Sequence, residues 1–400
     1  MRIFKDGEFR LLWPFYLDAL ISPMLFFMPA FAVLYFRDFG FSLFQISLLT
    51  TVIAIFMILF EIPTGAVADL YGRKFSVLLG TIIQGLSLVS IFFLREYYHF
   101  FIAFAILGIG NTFNSGAREA WVTDLVKKER KKFLHDYFVK INSIDSFGLV
   151  VSGILGAFLV KEFGTSVIWI AGGISFFATF ILLIFARENF VKRNIKVKES
   201  FKNLRKQSFV SLKYAKNHSV LFLFLIASAI FFFANVFSGD LAWITLLQEL
   251  NFPEYAFGYM WSAMGVAGIF APLVSLKLLR KGRERYFIIW TIALMMSSLF
   301  LIIFVNNFFF ALLILLSSVF FIRMNIPVER VYFHKFVQSK LRATIGSVEG
   351  MLISLVGIIA LPLAGLSVDY LGARYTLLLS ALLMIPSLII YFRINEKGVK

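Results

Sequence analysis

Cysteine is absent from the 400 residues, which excludes disulfides and thiolate metal sites. Histidine is scarce. His99, His135, His218 and His334 lie far apart, and none forms an H-E-x-x-H pair, so the commonest zinc-hydrolase arrangement is missing. No Gly-rich loop followed by Lys of the Walker type occurs, and nothing points to nucleotide hydrolysis. No metal site and no cofactor are expected. Charge is also sparse. Only 16% of residues are Asp, Glu, Lys or Arg, against 60% hydrophobic, and a water-soluble domain with so few charges would expose too much apolar surface to stay in solution. Acidic residues are the rarer sign, 23 against 39 basic, for a net charge of +16. In a soluble chain that excess would suggest nucleic acid. Here the basic residues fall in short stretches between apolar runs, so orientation across a bilayer explains them better than nucleic-acid binding.

What is present is a series of long apolar runs, at about 12–36, 43–68, 75–94, 99–122, 140–161, 165–186, 219–247, 255–279, 286–305, 308–330, 343–368 and 375–393. Each is continuous over about twenty residues, the length a helix needs to cross a bilayer. Lipid offers no hydrogen bonds, so a spanning segment must be a helix or part of a closed barrel, and barrel strands alternate apolar with polar residues. An all-α integral membrane fold of twelve spans is predicted. No small-residue cleavage site follows the first run, which is therefore expected to be a retained span.

The linkers are short except for 188–218, which divides the spans six and six. It carries Lys192, Arg193, Lys196, Lys198, Lys202, Arg205, Lys206, Lys213 and Lys216, with Phe201, Leu204, Phe209 and Leu212 on roughly one helical face. A basic helix on the anionic cytoplasmic leaflet is expected there. The expected domains are 1–187, this linker, and 219–400. Of the 39 Lys and Arg, 33 fall on the side shared by both termini. Only Arg37, Arg95, Lys161 and Arg374 fall on the other, and Arg118 and Arg323 lie inside spans. The positive-inside rule places both termini in the cytoplasm, in a plasma membrane. The halves also echo one another: Ile141-Asn142-Ser143-Ile144-Asp145 opens span 5 and Ile345-Gly346-Ser347-Val348-Glu349 opens span 11, with Arg118 and Arg323 upstream at similar distances. Two parallel repeats with a site between them are a known transporter plan.

Between spans 2 and 3 stands Gly65-Ala66-Val67-Ala68-Asp69-Leu70-Tyr71-Gly72-Arg73-Lys74. Gly72 suits a sharp turn, Gly65 suits close approach of a neighbouring helix, and Asp69 suits the amides of a helix N-terminus. The sequence resembles the signature loop of the major facilitator superfamily, and Glu61-Ile62-Pro63-Thr64 resembles a common lead-in to it. The resemblance implies two pseudo-symmetric six-helix bundles, transport by alternating access, and a conformational latch made by this loop. Asp69 and Arg73 would be latch residues, with Asp124 the partner of Arg73. The sequence also departs from the family pattern. Leu70 replaces a basic residue, Thr112 stands where an Arg associated with proton coupling is found, and span 5 has Gly148, Gly153 and Gly156 but no Gly-Pro pair. An echo, Gly365, Asp369, Gly372 and Arg374, lies between spans 11 and 12, on the outer face, where it cannot act as the same latch.

A charge within a span is costly unless it meets a partner or a wet cavity. Arg118, Glu119, Asp145, Arg323, Glu329 and Glu349 sit toward the inner third, where two readings stand, an inner gate of ion pairs or direct contact with substrate or proton. Asp18 in span 1 has no evident basic partner in the sequence and is expected to face the cavity. Asp240 in span 7 is either a site residue or merely solvated. Asn111, Asn114, Gln84 and Asn235 are candidate neutral cavity groups or interhelical hydrogen bonders. Pro23, Pro29, Pro272 and Pro362 can kink their helices. The chain is read as a monomeric transporter of a small molecule, with the proton as coupling ion and export of small organic or lipophilic compounds favoured. Uptake of a sugar, carboxylate or other nutrient is the alternative, and a non-transporting sensor on the same scaffold is the other.

Overall fold

A computed structural model describes residue 4 and residues 7–129, 132–189, 218–280, 282–337 and 342–394. The expected basic linker helix lies almost wholly outside these residues. Among them the structure is all helical: α1 (Glu8–Leu25), α2 (Met28–Asp38), α3 (Leu43–Tyr71), α4 (Arg73–Phe93), α5 (Tyr97–Asn114), α6 (Ala117–Glu129), α7 (Lys132–Phe163), α8 (Val167–Ile184), α9 (Ser219–Phe237), α10 (Asp240–Glu249), α11 (Phe257–Leu278), α12 (Glu284–Phe300), α13 (Phe308–Phe336), α14 (Arg342–Leu371) and α15 (Ala373–Arg393). They make twelve segments long and apolar enough to span a bilayer, and their bounds fall within a few residues of the sequence runs.

Three of the twelve spans are broken, each for a local reason. Span 1 is α1 plus α2. Pro23 lies in the last turn of α1, where Phe26 N–H bonds back to the Pro23 carbonyl at 3.1 Å, and Pro29 sits in the first turn of α2. Span 4 is α5 plus α6, separated at Gly116, whose φ of +68° suits a residue without Cβ. Span 7 is α9 plus α10, separated at Ser238–Gly239. The break in span 4 matters most for the site, because it sets the direction of Arg118 and Glu119.

The chain clusters into two compact units, Met1–Phe39 with Val52–Phe201 and Glu254–Gly265, and Gly40–Thr51 with Lys202–Pro253 and Val266–Lys400. Two helices are therefore shared: the first turns of α3 group with the second unit and the first turns of α11 with the first.

In the first unit α4 packs on α5 and α8, and α1 on α7 and α8. Near the chain's start Phe15 meets Trp121 edge-on at 5.0 Å, within a cluster of Leu12, Val122, Leu125 and Tyr137. Toward the opposite end Phe36, Phe100, Phe104 and Trp169 form a second aromatic core. In the second unit α9 packs on α15 and α14, and α12 on α13. Large apolar side chains such as Trp290, Phe309 and Tyr370 point outward, as lipid-facing residues do.

Lipid does not drive helices together by hydrophobicity, so close backbone approach does much of the work. A Cβ on Gly153 of α7 would collide with the Gly258 carbonyl and Ser262 Oγ of α11, and one on Gly258 would collide with the Gly153 carbonyl. Ser262 Oγ also donates to the Val150 carbonyl at 2.6 Å. Gly65 does not play this part. A Cβ there would meet nothing within 4 Å, because Gly65 lies on an exposed face of α3. Gly153→Leu and Gly258→Leu should each destabilise the protein by about 1–3 kcal/mol, read as a lower thermal midpoint in detergent, while Gly65→Leu should not lower it. A Gly153→Leu protein as stable as wild type would show that this seam does not form.

Candidate functional site

The first unit holds a cavity of about 300 Å³ whose walls include Asp18, Arg118, Glu119, Tyr137, Phe138 and Asp145. Asp18 sits on α1, in the turn before Pro23. Its side chain is 1% exposed and its carboxylate is fully engaged: Oδ1 accepts from Ser22 Oγ and Thr179 Oγ1, both at 2.6 Å, and Oδ2 accepts from Arg118 Nη2. The expectation that Asp18 lacks a basic partner is therefore wrong. The partner is Arg118, a hundred residues later in the chain, and the turn at Gly116 aims it at α1. The two contributors missed from sequence are Ser22 and Thr179. Ser22 is one helical turn beyond Asp18, so it was findable by spacing. Thr179 comes from α8, and no sequence signal marks it.

Glu119 and Asp145 lie beside this pair and make no hydrogen bond or ion pair among the described residues. Below them, Glu8 is buried and accepts from Lys140 Nζ at 2.6 and 2.7 Å and from the Tyr16 hydroxyl at 2.6 Å. This buried ion pair joins α1 to α7 and was also missed, since Glu8 reads as part of a polar N-terminal tail.

In the second unit the matched sequence spacing does not become matched pairing. Glu349 accepts from Arg330 Nη1 at 2.8 Å, not from Arg323. Glu329 accepts from the Tyr391 hydroxyl at 3.0 Å, and Tyr391 lies 3.1 Å from Ser228 Oγ. Arg323, near the middle of α13, is exposed and has no hydrogen bond or ion pair among the described residues. Its Nε lies 3.9 Å from where a Cβ on Gly268 of α11 would stand. Asp240 is exposed at the first residue of α10. Among the neutral candidates, Asn111 Nδ2 lies 3.3 Å from Met57 Sδ, while Gln84 Nε2 and Asn114 Oδ1 are buried without a hydrogen-bond partner among the described residues. Ser238 Oγ at the same helix end donates to the Asn235 backbone carbonyl at 3.1 Å and to Asn235 Oδ1 at 3.5 Å.

The 65–74 segment, helical up to Tyr71 and again from Arg73, is tied down from several directions. Gly72 takes φ +107° and carries the chain from α3 into α4. Arg73 donates to the Asp124 carboxylate and to the Ala120 carbonyl of α6. The Lys74 amide donates to Glu188 Oε1 at 2.9 Å, and Lys74 Nζ donates to the carbonyls of Ile184 and Ala186 at 2.6 and 2.9 Å. Glu188 is a further residue the sequence reading missed. Asp69 accepts no hydrogen bond among the described residues.

The echo of this loop behaves differently. Asp369, at the end of α14, accepts from the amides of Leu43 and Phe44 at 2.9 and 2.8 Å, so it caps the N-terminus of α3. Gly365 makes room for this contact, since a Cβ there would lie 2.6 Å from the Leu43 carbonyl and Ser47 Oγ. Gly372 takes φ +84°, and Arg374 donates to the carbonyls of Ile303 and Val305 at 3.1 and 2.7 Å. Gly65-x3-Asp69-x2-Gly72 and Gly365-x3-Asp369-x2-Gly372 share one spacing.

Twelve apolar spans with charged groups held inside them are the construction of a polytopic membrane transporter, not of an enzyme. The sequence pattern of the Major Facilitator Superfamily matches residues 19–289, and the chain belongs to that family. It is 23% identical over 193 residues to an uncharacterised MFS-type transporter of Methanocaldococcus jannaschii, a match that covers 48% of this chain and about half (49%) of that relative. Solved structures share the fold. A bacterial homologue of the iron transporter ferroportin in an inward-facing state matches with TM-score 0.75 and 15% identity, over 98% of this chain and 99% of that one. The nucleoside transporter NupG matches at 0.71 and 13%, over 97% and 100%. A D-xylose–proton symporter matches at 0.69 and 14%, over 98% and 99%.

Removing one member of a buried ion pair strands the other charge and costs about 3–5 kcal/mol, whereas replacing both can be nearly neutral. Asp18→Asn and Arg118→Gln should therefore each lower the thermal midpoint in detergent more than the double variant does. A double variant as unstable as the two single losses combined would show that the pair is not coupled.

Proposed function

We propose that this chain is a proton-coupled secondary transporter of the plasma membrane, with both termini cytoplasmic, that exports small organic compounds by alternating access. The observation that carries this reading is the Asp18–Arg118 pair on the wall of the cavity. Charges in a bilayer are kept where they act, and a carboxylate that can exchange a guanidinium for a proton has two states to offer a transport cycle. Protonation of Asp18 releases Arg118, whose other close carboxylates are Glu119 and Asp145 across the same cavity. The side-chain shift between these partners links proton occupancy to the shape of the site.

On α7, Gly148 packs on Pro23, Gly156 on Phe27 and Gly153 on Gly258, so this helix is held closely to span 1 and to α11. The alternation itself draws on the paired loops. Asp69 at the end of α3 and Asp369 at the end of α14 have the same spacing to their glycines, and Asp369 holds the start of α3 by two amide bonds. In this reading Asp369 secures the outer ends of these helices in one state, and Asp69 takes the corresponding part at the inner ends in the other.

Purified protein in vesicles with an imposed pH gradient tests the whole reading, using compounds first found by thermal stabilisation among drugs, sugars and organic anions. Wild type should export a stabilising compound faster with the gradient than without. The Asp18→Asn, Arg118→Gln double variant should lose that difference and keep the fold. Gradient-independent flux in wild type, or gradient-driven flux in the double variant, would remove proton coupling through this pair.

The outer latch has its own test. The chain is free of cysteine, so Ser47→Cys, buried against Gly365, is a clean reporter. Loss of a helix cap costs about 0.5–2 kcal/mol, so adding Asp369→Ala should speed maleimide labelling of that cysteine by about 2- to 30-fold. Unchanged labelling would mean that Asp369 does not hold α3.

A further inference from the structure

Among the described residues, the cavity of the first unit has more carboxylates than it has cations to match them. Its walls bring Asp18 from α1, Arg118 and Glu119 from α6, and Tyr137 and Asp145 from α7. Arg118 is committed to Asp18. Lys140 on α7, the next cation, is committed to Glu8. Glu119 and Asp145 face the space without a hydrogen bond or ion pair among the described residues. Among the described residues the formal balance of the lining is three carboxylates against one guanidinium, in a segment of the protein that lies at membrane depth. A surplus of negative charge there is expensive to keep, unless something positive comes to it.

Two aromatic residues also line the cavity. Tyr137 and Phe138 lie together on the cavity wall, their ring centroids 5.3 Å apart. Tyr137 is 3% exposed, yet its hydroxyl has no hydrogen-bond partner among the described residues. The residue is buried, and it lines the cavity. Carboxylates set beside aromatic faces are the chemistry that holds an ammonium group, the first by charge and the second by the ring quadrupole. An anion would meet the two unpaired carboxylates directly. An inorganic divalent cation would require several converging ligands, and among the described residues no three His, Cys, Asp or Glu side chains come together in that way. The apolar remainder of the lining, Ala19, Pro23 and Ile141, suits carbon and not a hydrated ion.

From this lining we infer that the cargo carries a positive charge on an organic frame, a small alkyl- or arylammonium compound bound between Asp145, Glu119 and the Tyr137–Phe138 pair. The inference rests on the transport reading above and names the substrate class of the same site. It also gives the coupling a physical basis. A proton on Asp18 would turn Arg118 toward Glu119 and Asp145, the groups that hold the cargo, so proton and cargo exclude one another.

Detergent-solubilised full-length protein, titrated with tetraethylammonium, benzoate, D-xylose and manganese(II) while the thermal midpoint is followed, tests the inference. Tetraethylammonium should stabilise wild type and the other three should not. Asp145→Asn should weaken that response by about tenfold or more, Tyr137→Ala should weaken it by removing a ring, and Asp145→Glu should restore most of it. The apparent affinity for tetraethylammonium should fall as pH is lowered. Stabilisation by benzoate, D-xylose or manganese(II) in place of tetraethylammonium would overturn the inference, as would a response to tetraethylammonium that Asp145→Asn leaves intact. Vesicle flux separates the two readings. If tetraethylammonium binds through Asp145 but no gradient drives its movement, the site stands and proton-coupled transport falls. If a neutral or anionic compound is driven instead, transport stands and the cationic cargo falls.

Discussion

Placing a charge inside a bilayer without a partner costs several kcal/mol, and the first unit is arranged around meeting that cost. Asp18 is buried at the heart of it, with three donors on two oxygens. They come from its own helix, from α8 and from α6. This one carboxylate therefore links three elements that are distant in sequence. Arg118 reaches it only because Gly116 interrupts span 4 and lets α6 take a new direction. The helix break, the ion pair and the cavity beside it are consequences of one requirement, that a charge at this depth be answered from a neighbouring helix.

The same requirement sorts the remaining intramembrane charges. Glu8 with Lys140, and Arg330 with Glu349, are satisfied as pairs. Glu119 and Asp145 face the cavity instead, and Arg323 is exposed near the middle of α13. Among the described residues these three make no ion pair. Small residues solve a different problem. Where helices must touch without hydrophobic drive, Gly153 with Gly258 and Gly365 with Leu43 bring backbones into contact, and Asp369 adds hydrogen bonds to the second of these seams.

The twelve spans were legible because length and hydropathy are local properties and a bilayer sets a sharp threshold for both. The turn at Gly72 was legible because a tight turn needs its glycine within a few residues of its charged anchors, although 65–71 proved to be the end of α3 and neither Gly65 nor Asp69 makes its expected contact among the described residues. The pairing of Arg73 with Asp124 was legible only through resemblance to a family. Other features gave weaker signals or none. Ser22 stands one turn from Asp18 and could have been found by spacing. Thr179, Glu188 and the Glu8–Lys140 pair could not, because each partner comes from a helix whose neighbours are fixed by packing. The repeated spacing of Arg118 to Asp145 and of Arg323 to Glu349 suggested equivalent pairs, yet Arg118 bonds to Asp18 and Glu349 to Arg330. Similar ancestry in sequence does not force similar partners once side chains compete for the nearest opposite charge.

By itself, the sequence determined that this protein is a bundle of twelve membrane helices in the major facilitator plan, since apolar run length, scarce charge and a compact loop motif are readable along one dimension. Only the tertiary structure decided which charges are spent on each other and which line a cavity. It also decided that Asp369 caps α3 while Asp69 accepts no hydrogen bond among the described residues. Those outcomes depend on distances of a few ångströms between residues tens to hundreds of positions apart, and helix packing, not sequence order, sets such distances.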